Sequence, residues 1–337
     1  PVFAQAEITG LPATQIAIAT APFHAVLGTL LVIVVMRMAG APLNGRTLAW
    51  ALLAAACFLV PSLALAILAG PELPTLGGAL VGSILFTGVM KRLAPGGEAM
   101  PRFRMIAAAI APYLVILVLV LATRLIEPLR QWLADIDVGW SLHDTFRGTF
   151  QPLYHPGTLL FLGLAVGGVA TGRTTHLLPS VLGATARLMP VAAALLAMLA
   201  MSRLMVHSGM IAALAQGAAR SGPLWPLLAP AVGVLGTFVT GSATASNILF
   251  TQFQVTTSGA LGLPPSTMVA AQGFGAAIGN VVAPHNIISG AATVGMQRRE
   301  GETLTRTAGA CAAYAVAGGI LAWLAVTAAR LLPELMP

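Results

Sequence analysis

Residues 221–297 read SGPLWPLLAPAVGVLGTFVTGSATASNILFTQFQVTTSGALGLPPSTMVAAQGFGAAIGNVVAPHNIISGAATVGMQ, and none of them is Asp, Glu, Lys or Arg. So long an uncharged stretch indicates membrane helices, because a transmembrane helix needs about 20 mostly apolar residues. Twelve of the 22 residues at 237–258 are nevertheless Ser, Thr, Asn or Gln. Lipid would penalise that density of polar groups unless they face protein, water or a ligand. The stretch therefore predicts helices that enclose a polar site.

Charge is scarce along the whole chain. Only 8% of the 337 residues are charged and 57% are hydrophobic, whereas about 25% of the residues in a soluble domain are charged. This composition excludes a cytosolic enzyme. The 17 Lys and Arg residues are scattered rather than clustered into a basic stripe, so nucleic acid is not expected as a partner. Cys57 and Cys311 lie in apolar stretches without metal-ligand spacing, and we expect no metal and no cofactor.

Charge-free intervals predict the membrane spans. They place spans near residues 18–36, 47–71, 73–90, 105–123, 157–171, 187–205 and 307–329. Basic residues after the first and third spans, and before the last, predict cytoplasmic loops by the positive-inside rule; these residues are Arg37, Arg46, Lys91, Arg92, Arg102, Arg104, Arg298, Arg299 and Arg306. Glu72 and the acidic segment 127–144 then face outward. Trp132 and Trp140 suggest an interfacial amphipathic helix within residues 124–150.

The fold class predicted is all-α: a multi-pass transmembrane helical bundle with broken or re-entrant helices, one part of an inverted-repeat transporter. We expect residues 1–337 to form a single transmembrane domain, and the start at Pro1 without a Met suggests a fragment of a longer chain. Within it, residues 221–297 are the expected site region. Two polar, Gly-rich segments, 237–258 and 273–293, are interrupted by Gly241 and by Pro284. Such discontinuous helices meet at substrate sites near the membrane midplane.

Helical spacing selects the candidate site residues. Thr240, Thr244 and Asn247 share one face, and Ser242 and Ser246 form a neighbouring row. The binding candidates are Thr240, Gly241, Ser242, Thr244, Ser246, Asn247, His285 and Asn286, with Gln272, Asn280 and Ser289 in second rank. His285 and Glu72 are the candidates for coupling a proton. The alternative interpretations are Ser and Thr hydroxyls that only join helices, a neutral buried His285, and a Glu72 that anchors a loop.

Three motifs resemble the lactate permease family, the bacterial lactate and glycolate transporters. They are GTFVTGSATASNILFTQFQ at 236–254, AAQGFGAAIGNVVAPHNIISGAATVGMQRREGE at 270–302 and GPELP at 70–74. The resemblance implies a carrier of L-lactate, D-lactate or glycolate that moves with protons in the bacterial inner membrane, and it implies that this chain is the C-terminal portion of a longer one. The family also accepts Gln at the position of His285, which favours a binding role for that residue over an obligatory proton role.

The expected partners are therefore a small carboxylate, a proton and the lipid bilayer; the oligomeric state stays open. Backbone amides near Gly241 and Ser242, with Thr244, Ser246 and Asn247, are expected to hold the carboxylate, and His285 with Asn286 to address the hydroxyl or the proton. Alternatives are a carrier of another small organic anion such as a dicarboxylate, or a non-transporting scaffold. An intramembrane enzyme is disfavoured, because no Ser/His/Asp set or HExxH motif is found.

Overall fold

A computed structural model describes residues 1–93, 103–142, 146–293 and 298–331. Arg102, His143 and the end of the uncharged stretch, 294–297, lie outside the described residues. The elements in chain order are α1 (Val2–Thr9), α2 (Ala13–Met38), α3 (Gly45–Leu68), α4 (Pro74–Leu93), α5 (Phe103–Leu125), α6 (Glu127–Ala134), β1 (Val138–Leu142), β2 (Phe146–Phe150), α7 (Pro156–Ala170), α8 (Leu177–His207), α9 (Met210–Ala219), α10 (Trp225–Thr240), α11 (Ala243–Leu261), α12 (Pro265–Gly279), α13 (Pro284–Thr293) and α14 (Glu300–Leu331).

The all-α, multi-pass prediction is confirmed. Across the described residues, six helices are long and apolar enough to cross a membrane: Ala13–Arg37, Gly45–Leu68, Pro74–Leu93, Thr174–His207, Gly222–Thr240 and Glu300–Leu331. The end of α5 and α6 form a pair bent by 90°, which raises the number to seven if the pair is one span. The span expected at 157–171 is a helix of only 15 residues, shorter than the roughly 17 residues that a span requires.

The segment between α5 and α7 differs from its prediction. An amphipathic helix was expected within 124–150, but helix stops after α6 and an antiparallel hairpin follows, in which Val138 pairs with Phe150 and Trp140 with Gly148. Pro128 starts α6 in its first turn, where a missing N–H costs nothing. The β-branched and aromatic residues of VGWSL favour a strand. The amphipathic part is therefore only two turns long.

The chain divides into two compact units. The first unit comprises residues 1–43 and 190–337, and the second comprises residues 44–189. One boundary precedes α3, between residues 43 and 44, and the other falls within α8, immediately before Pro190. The single transmembrane domain at 1–337 stays a prediction.

The second unit is built on an antiparallel pair of helices. A Cβ added to Gly82 of α4 would lie 2.6 Å from the carbonyl oxygen of Cys57 in α3, and Gly77 lies against Leu65. These contacts place Arg46 at the same end of the pair as Lys91, and the connection that carries Glu72 at the opposite end. The separation of basic and acidic ends follows the charge pattern of the sequence, while their sides of the membrane stay a prediction.

In the first unit, α10, α11 and α12 form the centre. Gly233 of α10 lies against Gln272 of α12, and Thr237 lies against Gly279, so these two helices run in the same direction. Helix α11 runs in the opposite direction, because Trp225 contacts Gln254 whereas Gly236 contacts Ser246. Helices α1, α2, α9 and α14 surround this centre.

Helix α10 and helix α12 approach each other so closely that glycine is required between them. A Cβ at Gly275 would overlap the carbonyl oxygen of Pro230, and one at Gly233 would overlap the carbonyl oxygen of Gln272. Backbone atoms cannot rotate away as a flexible side chain can. The small residues therefore allow the close backbone contact that drives helix association in membranes.

We predict that Gly275→Val destabilises the first unit, because the new side chain must separate α10 from α12. Overpacking of this kind costs about 1–3 kcal/mol or more. The melting temperature of the detergent-purified protein should fall by several degrees. Gly309→Ala in α14 is the matched control, since its Cβ would meet open space and Ala favours helix over Gly. Equal melting temperatures for the two variants would contradict the packing argument.

Candidate functional site

The first helix break lies at the turn between α10 and α11. Gly241 ends α10 in the left-handed conformation (φ 74°), and its N–H donates to the carbonyl of Thr237 at 2.7 Å. Ser242 caps α11, because its hydroxyl accepts from the N–H of Ala245 at 3.3 Å. The hydroxyl of Thr240 donates to the carbonyls of Gly236 and Ser242. The turn that was predicted at Gly241 is present, and it engages the Thr240 and Ser242 hydroxyls.

The second break separates α12 from α13 and meets the first. The side-chain amide of Asn286 donates to the carbonyl of Asn280 at 3.1 Å and to its side-chain oxygen at 3.2 Å, closing the turn. The imidazole of His285 packs on Gly241, where an added Cβ would lie 2.5 Å from Nδ1. His285 is exposed on the surface of the chain rather than enclosed. The two helix breaks therefore meet where His285 packs on Gly241.

A chain of buried hydrogen bonds links the three central helices; we call it the glutamine network. The indole of Trp225 donates to Gln254 at 3.1 Å, Gln254 donates to Gln272 at 3.1 Å, Gln272 donates to the Ser246 hydroxyl at 3.2 Å, and Ser246 donates to the carbonyl of Gly233 at 2.9 Å. All these side chains are buried. Among the candidates, Ser246 and Gln272 therefore join helices.

Asn247 and Thr251 differ from the network because their polar atoms have no partner. Both residues are 0% exposed. The amide oxygen and nitrogen of Asn247 and the hydroxyl of Thr251 find no hydrogen bond among the described residues. Thr256 and Thr257, in the same helix, donate to the carbonyls four residues earlier. An unsatisfied buried polar group costs about 1–3 kcal/mol, so these three atoms are candidates for contact with a polar ligand.

The remaining candidates lie elsewhere. Thr244 is half-buried in the first turn of α11, and Ser289 is exposed on α13. Asn280 and Asn286 contribute to the wall of a cleft of about 290 Å³ beside α13. The other residues of that wall are Val281, Ile287, Gly290, Ala291 and Thr303. Glu72 belongs to the second unit, where it forms an ion pair with Arg124.

Reasoning from the sequence missed four buried polar residues. Thr251 follows Asn247 by one helical turn, and Gln254 extends the same face, so the period that selected Asn247 could have found both. Trp225 carries no local signal for its bond to Gln254. Gln5 lies before the first predicted span, yet its amide donates to the carbonyl of Val269 at 2.8 Å.

Long apolar helices around an uncharged, polar and interrupted core define a multi-pass α-helical membrane protein. The family model for L-lactate permease matches residues 138–329, more than half of the chain. The chain therefore belongs to the L-lactate permease family.

Several curated relatives agree with this assignment. The L-lactate permease of Streptococcus iniae is 28% identical over 284 residues, which cover 80% of this chain and 60% of that protein. The glycolate permease GlcA of Escherichia coli K12 is 36% identical over 118 residues, 35% of this chain and 21% of that protein. The L-lactate permease of Halalkalibacterium halodurans is 35% identical over 99 residues, 29% and 19% of the two chains. No solved structure matches.

We predict that Gly241→Ala separates the two helix breaks. The new methyl group must displace the His285 imidazole, and a left-handed residue other than Gly adds about 1–2 kcal/mol of strain. Gly262→Ala is the matched control: Gly262 also ends a helix with positive φ (60°), but its Cβ would meet open space. The melting temperature should fall for both variants and further for Gly241→Ala. Equal losses would show that the His285 contact contributes nothing.

Proposed function

We propose that the protein is a secondary active transporter of a small 2-hydroxy monocarboxylate, L-lactate with D-lactate or glycolate as related substrates, by proton symport across the bacterial inner membrane. Family membership supports this proposal, and so do the names of the relatives, which are L-lactate and glycolate permeases. The chain spans about 60% of the length of the Streptococcus iniae relative.

The chemistry of the proposed substrate fits Asn247 and Thr251, whose polar atoms make no hydrogen bond in the described part of the chain. A 2-hydroxy acid presents a carboxylate, which only accepts hydrogen bonds, and a hydroxyl, which donates and accepts. The Asn247 amide offers both a donor and an acceptor, and the Thr251 hydroxyl offers the same pair. These two side chains match both groups of the substrate without a charged residue.

The N-terminus of α11 supplies further donors. Its first amides lack intrahelical carbonyls and carry the positive end of the helix dipole. Asn247 lies five residues from the capping Ser242, a rise of about 7.5 Å. We assign both groups of the substrate to Asn247 and Thr251, and we keep the amides near Thr244, with His285 and Asn286, as groups that the substrate contacts where the two helix breaks meet.

The neutrality of this site fits proton symport. An anion that crosses alone works against the membrane potential at about 2.3 kcal/mol per charge per 100 mV. A proton that travels with the anion removes this cost. Residues 221–297 contain no Lys or Arg, so no fixed cation there retains the anion after the proton leaves.

We predict that Thr251→Val and Asn247→Leu lower uptake without destabilising the protein. Each change replaces unsatisfied polar atoms by apolar groups of similar size, so the melting temperature should stay equal or rise. Labelled lactate uptake by the full-length protein in proteoliposomes should fall about tenfold or more, because hydrogen bonds to a charged ligand contribute about 1.5–3 kcal/mol each.

Thr257→Val is the matched control. Thr257 is equally buried in α11, but its hydroxyl is bonded to the carbonyl of Phe253, so uptake should be unchanged. Ser246→Ala should instead lower the melting temperature, since Gln272 loses its acceptor. Wild-type uptake in both Thr251→Val and Asn247→Leu would refute this site, and competition by succinate rather than glycolate would indicate a dicarboxylate carrier.

A further inference from the structure

The second unit contains a buried ion pair that the proposed site does not use. Nη2 of Arg124 lies 2.6 Å from Oε1 of Glu72, and the side chains are only 9% and 10% exposed. Arg124 ends α5, and Glu72 lies in the connection between α3 and α4. Burying two charges costs several kcal/mol of desolvation for each ion, and only a well-aligned pair with additional hydrogen bonds offsets that cost. A pair that only stabilises the fold should therefore have its buried charged atoms fully hydrogen-bonded.

The geometry of the pair is incomplete. Arg–carboxylate pairs are frequently bidentate, with two parallel hydrogen bonds. Here one guanidinium nitrogen makes both side-chain contacts, since Nη2 also donates to the carbonyl of Tyr154 at 3.3 Å. Nη1 of Arg124 and Oε2 of Glu72 are buried and have no partner in the described part of the chain. One hydrogen-bond donor of the Arg124 guanidinium and one acceptor of the Glu72 carboxylate are therefore unpartnered there.

The surroundings hold Arg124 in place without neutralising it. The guanidinium lies over the ring of Tyr154 at 3.6 Å from its centre, a cation–π contact that orients a cation. Leu73 follows Glu72, and Val120 lies one helical turn before Arg124; both belong to a buried apolar cluster with Leu117, Ala69 and Leu159. The low polarity of this cluster strengthens any further electrostatic interaction of the Arg124 cation.

Among the described residues, other titratable groups on the neighbouring elements make contacts of their own. Glu127 and Arg130 of α6 form their own exposed pair. Nδ1 of His155, before α7, accepts from the N–H of Gly157, and its ring contacts Phe150. The cations of α3 and α4, Arg46 and Lys91, lie at the far end of those helices. Glu72 is therefore the anion that balances Arg124.

We propose that Arg124 and Glu72 form a second carboxylate site, in which Arg124 binds the carboxylate of the substrate while Glu72 holds the accompanying proton. The identity of the substrate and the coupling to protons rest on the proposed function. The incoming carboxylate accepts from Nη1 of Arg124 and from the O–H that Glu72 gains when the proton binds Oε2, so both unpartnered groups become hydrogen-bonded. Glu72 then becomes neutral, Arg124 is balanced by the substrate, and the net charge of the site stays zero.

Binding of the substrate together with a proton avoids an excess charge at the ion pair. An anion that joined the intact pair would add a negative charge in an apolar setting, which is strongly unfavourable. The proton removes the charge of Glu72 at the moment when the substrate replaces it. Substrate and proton therefore bind together, and neither binds well alone.

Proton-driven accumulation and substrate exchange, measured in proteoliposomes of the full-length protein, separate the two roles. Glu72→Gln resembles the protonated acid permanently, so accumulation of labelled lactate in an inward proton gradient should fall at least tenfold. Exchange of labelled for unlabelled lactate should continue and should no longer vary with pH. Arg124→Gln should raise the KM of exchange at least tenfold. Arg130→Gln, in the exposed pair of the same unit, should change neither.

The double variant distinguishes this role from a purely structural one. Two glutamines can hydrogen-bond as a neutral pair, so a structural pair predicts that Glu72→Gln with Arg124→Gln restores transport, whereas a carboxylate site predicts no recovery. Recovery, proton-driven accumulation in Glu72→Gln, or an unchanged KM in Arg124→Gln would each overturn the assignment. If Arg124→Gln fails to fold, the two assays on Glu72→Gln still decide it. No uptake of any 2-hydroxy monocarboxylate by the wild type overturns the proposed function as well.

Discussion

The backbone contact between α10 and α12 is the constraint on which the first unit depends. Gly233 and Gly275 bring the two helices into backbone contact, and α11 packs against both of them. At this separation the amides of Gln254 and Gln272 reach each other, and Ser246 reaches the carbonyl of Gly233. The glutamine network is thus a result of the glycine positions. A wider spacing would leave several buried amides without partners.

The network also accounts for the position of α11, a helix long enough to span a membrane. Its 19 residues do not form an apolar span, because Ser, Thr, Asn and Gln occupy the face that meets α10 and α12. Lipid cannot satisfy such groups, whereas neighbouring helices can. The polar residues therefore require α11 to lie inside the bundle. Within this setting, the side chains of Asn247 and Thr251 make no hydrogen bond in the described part of the chain.

Periodicity and charge spacing could predict the helices, because both depend on local sequence. The span near 47–71 and helix α3 agree closely, and the turn at Gly241 was found from a single glycine. The roles of individual hydroxyls could not be predicted in the same way. Ser246 and Asn247 are neighbours with similar polarity, yet one is bonded to Gly233 and Gln272 and the other is unpaired. That difference depends on which helix each side chain meets.

Glu72 is another residue whose role depends on a contact that the sequence does not reveal. The sequence placed it between two prolines at a membrane face, but its partner Arg124 is 52 positions away in the chain. Residues 221–297 contain no Lys or Arg, whereas the second unit keeps a cation buried and partly unpaired. In the mechanism proposed above, the two sites serve different requirements: the Arg124 cation selects a carboxylate from solution, and the neutral site releases it once its proton has left. A chain with 8% charged residues retains a buried charge only where desolvation is offset, and under the proposed mechanism the carboxylate of the substrate completes that offset at Arg124.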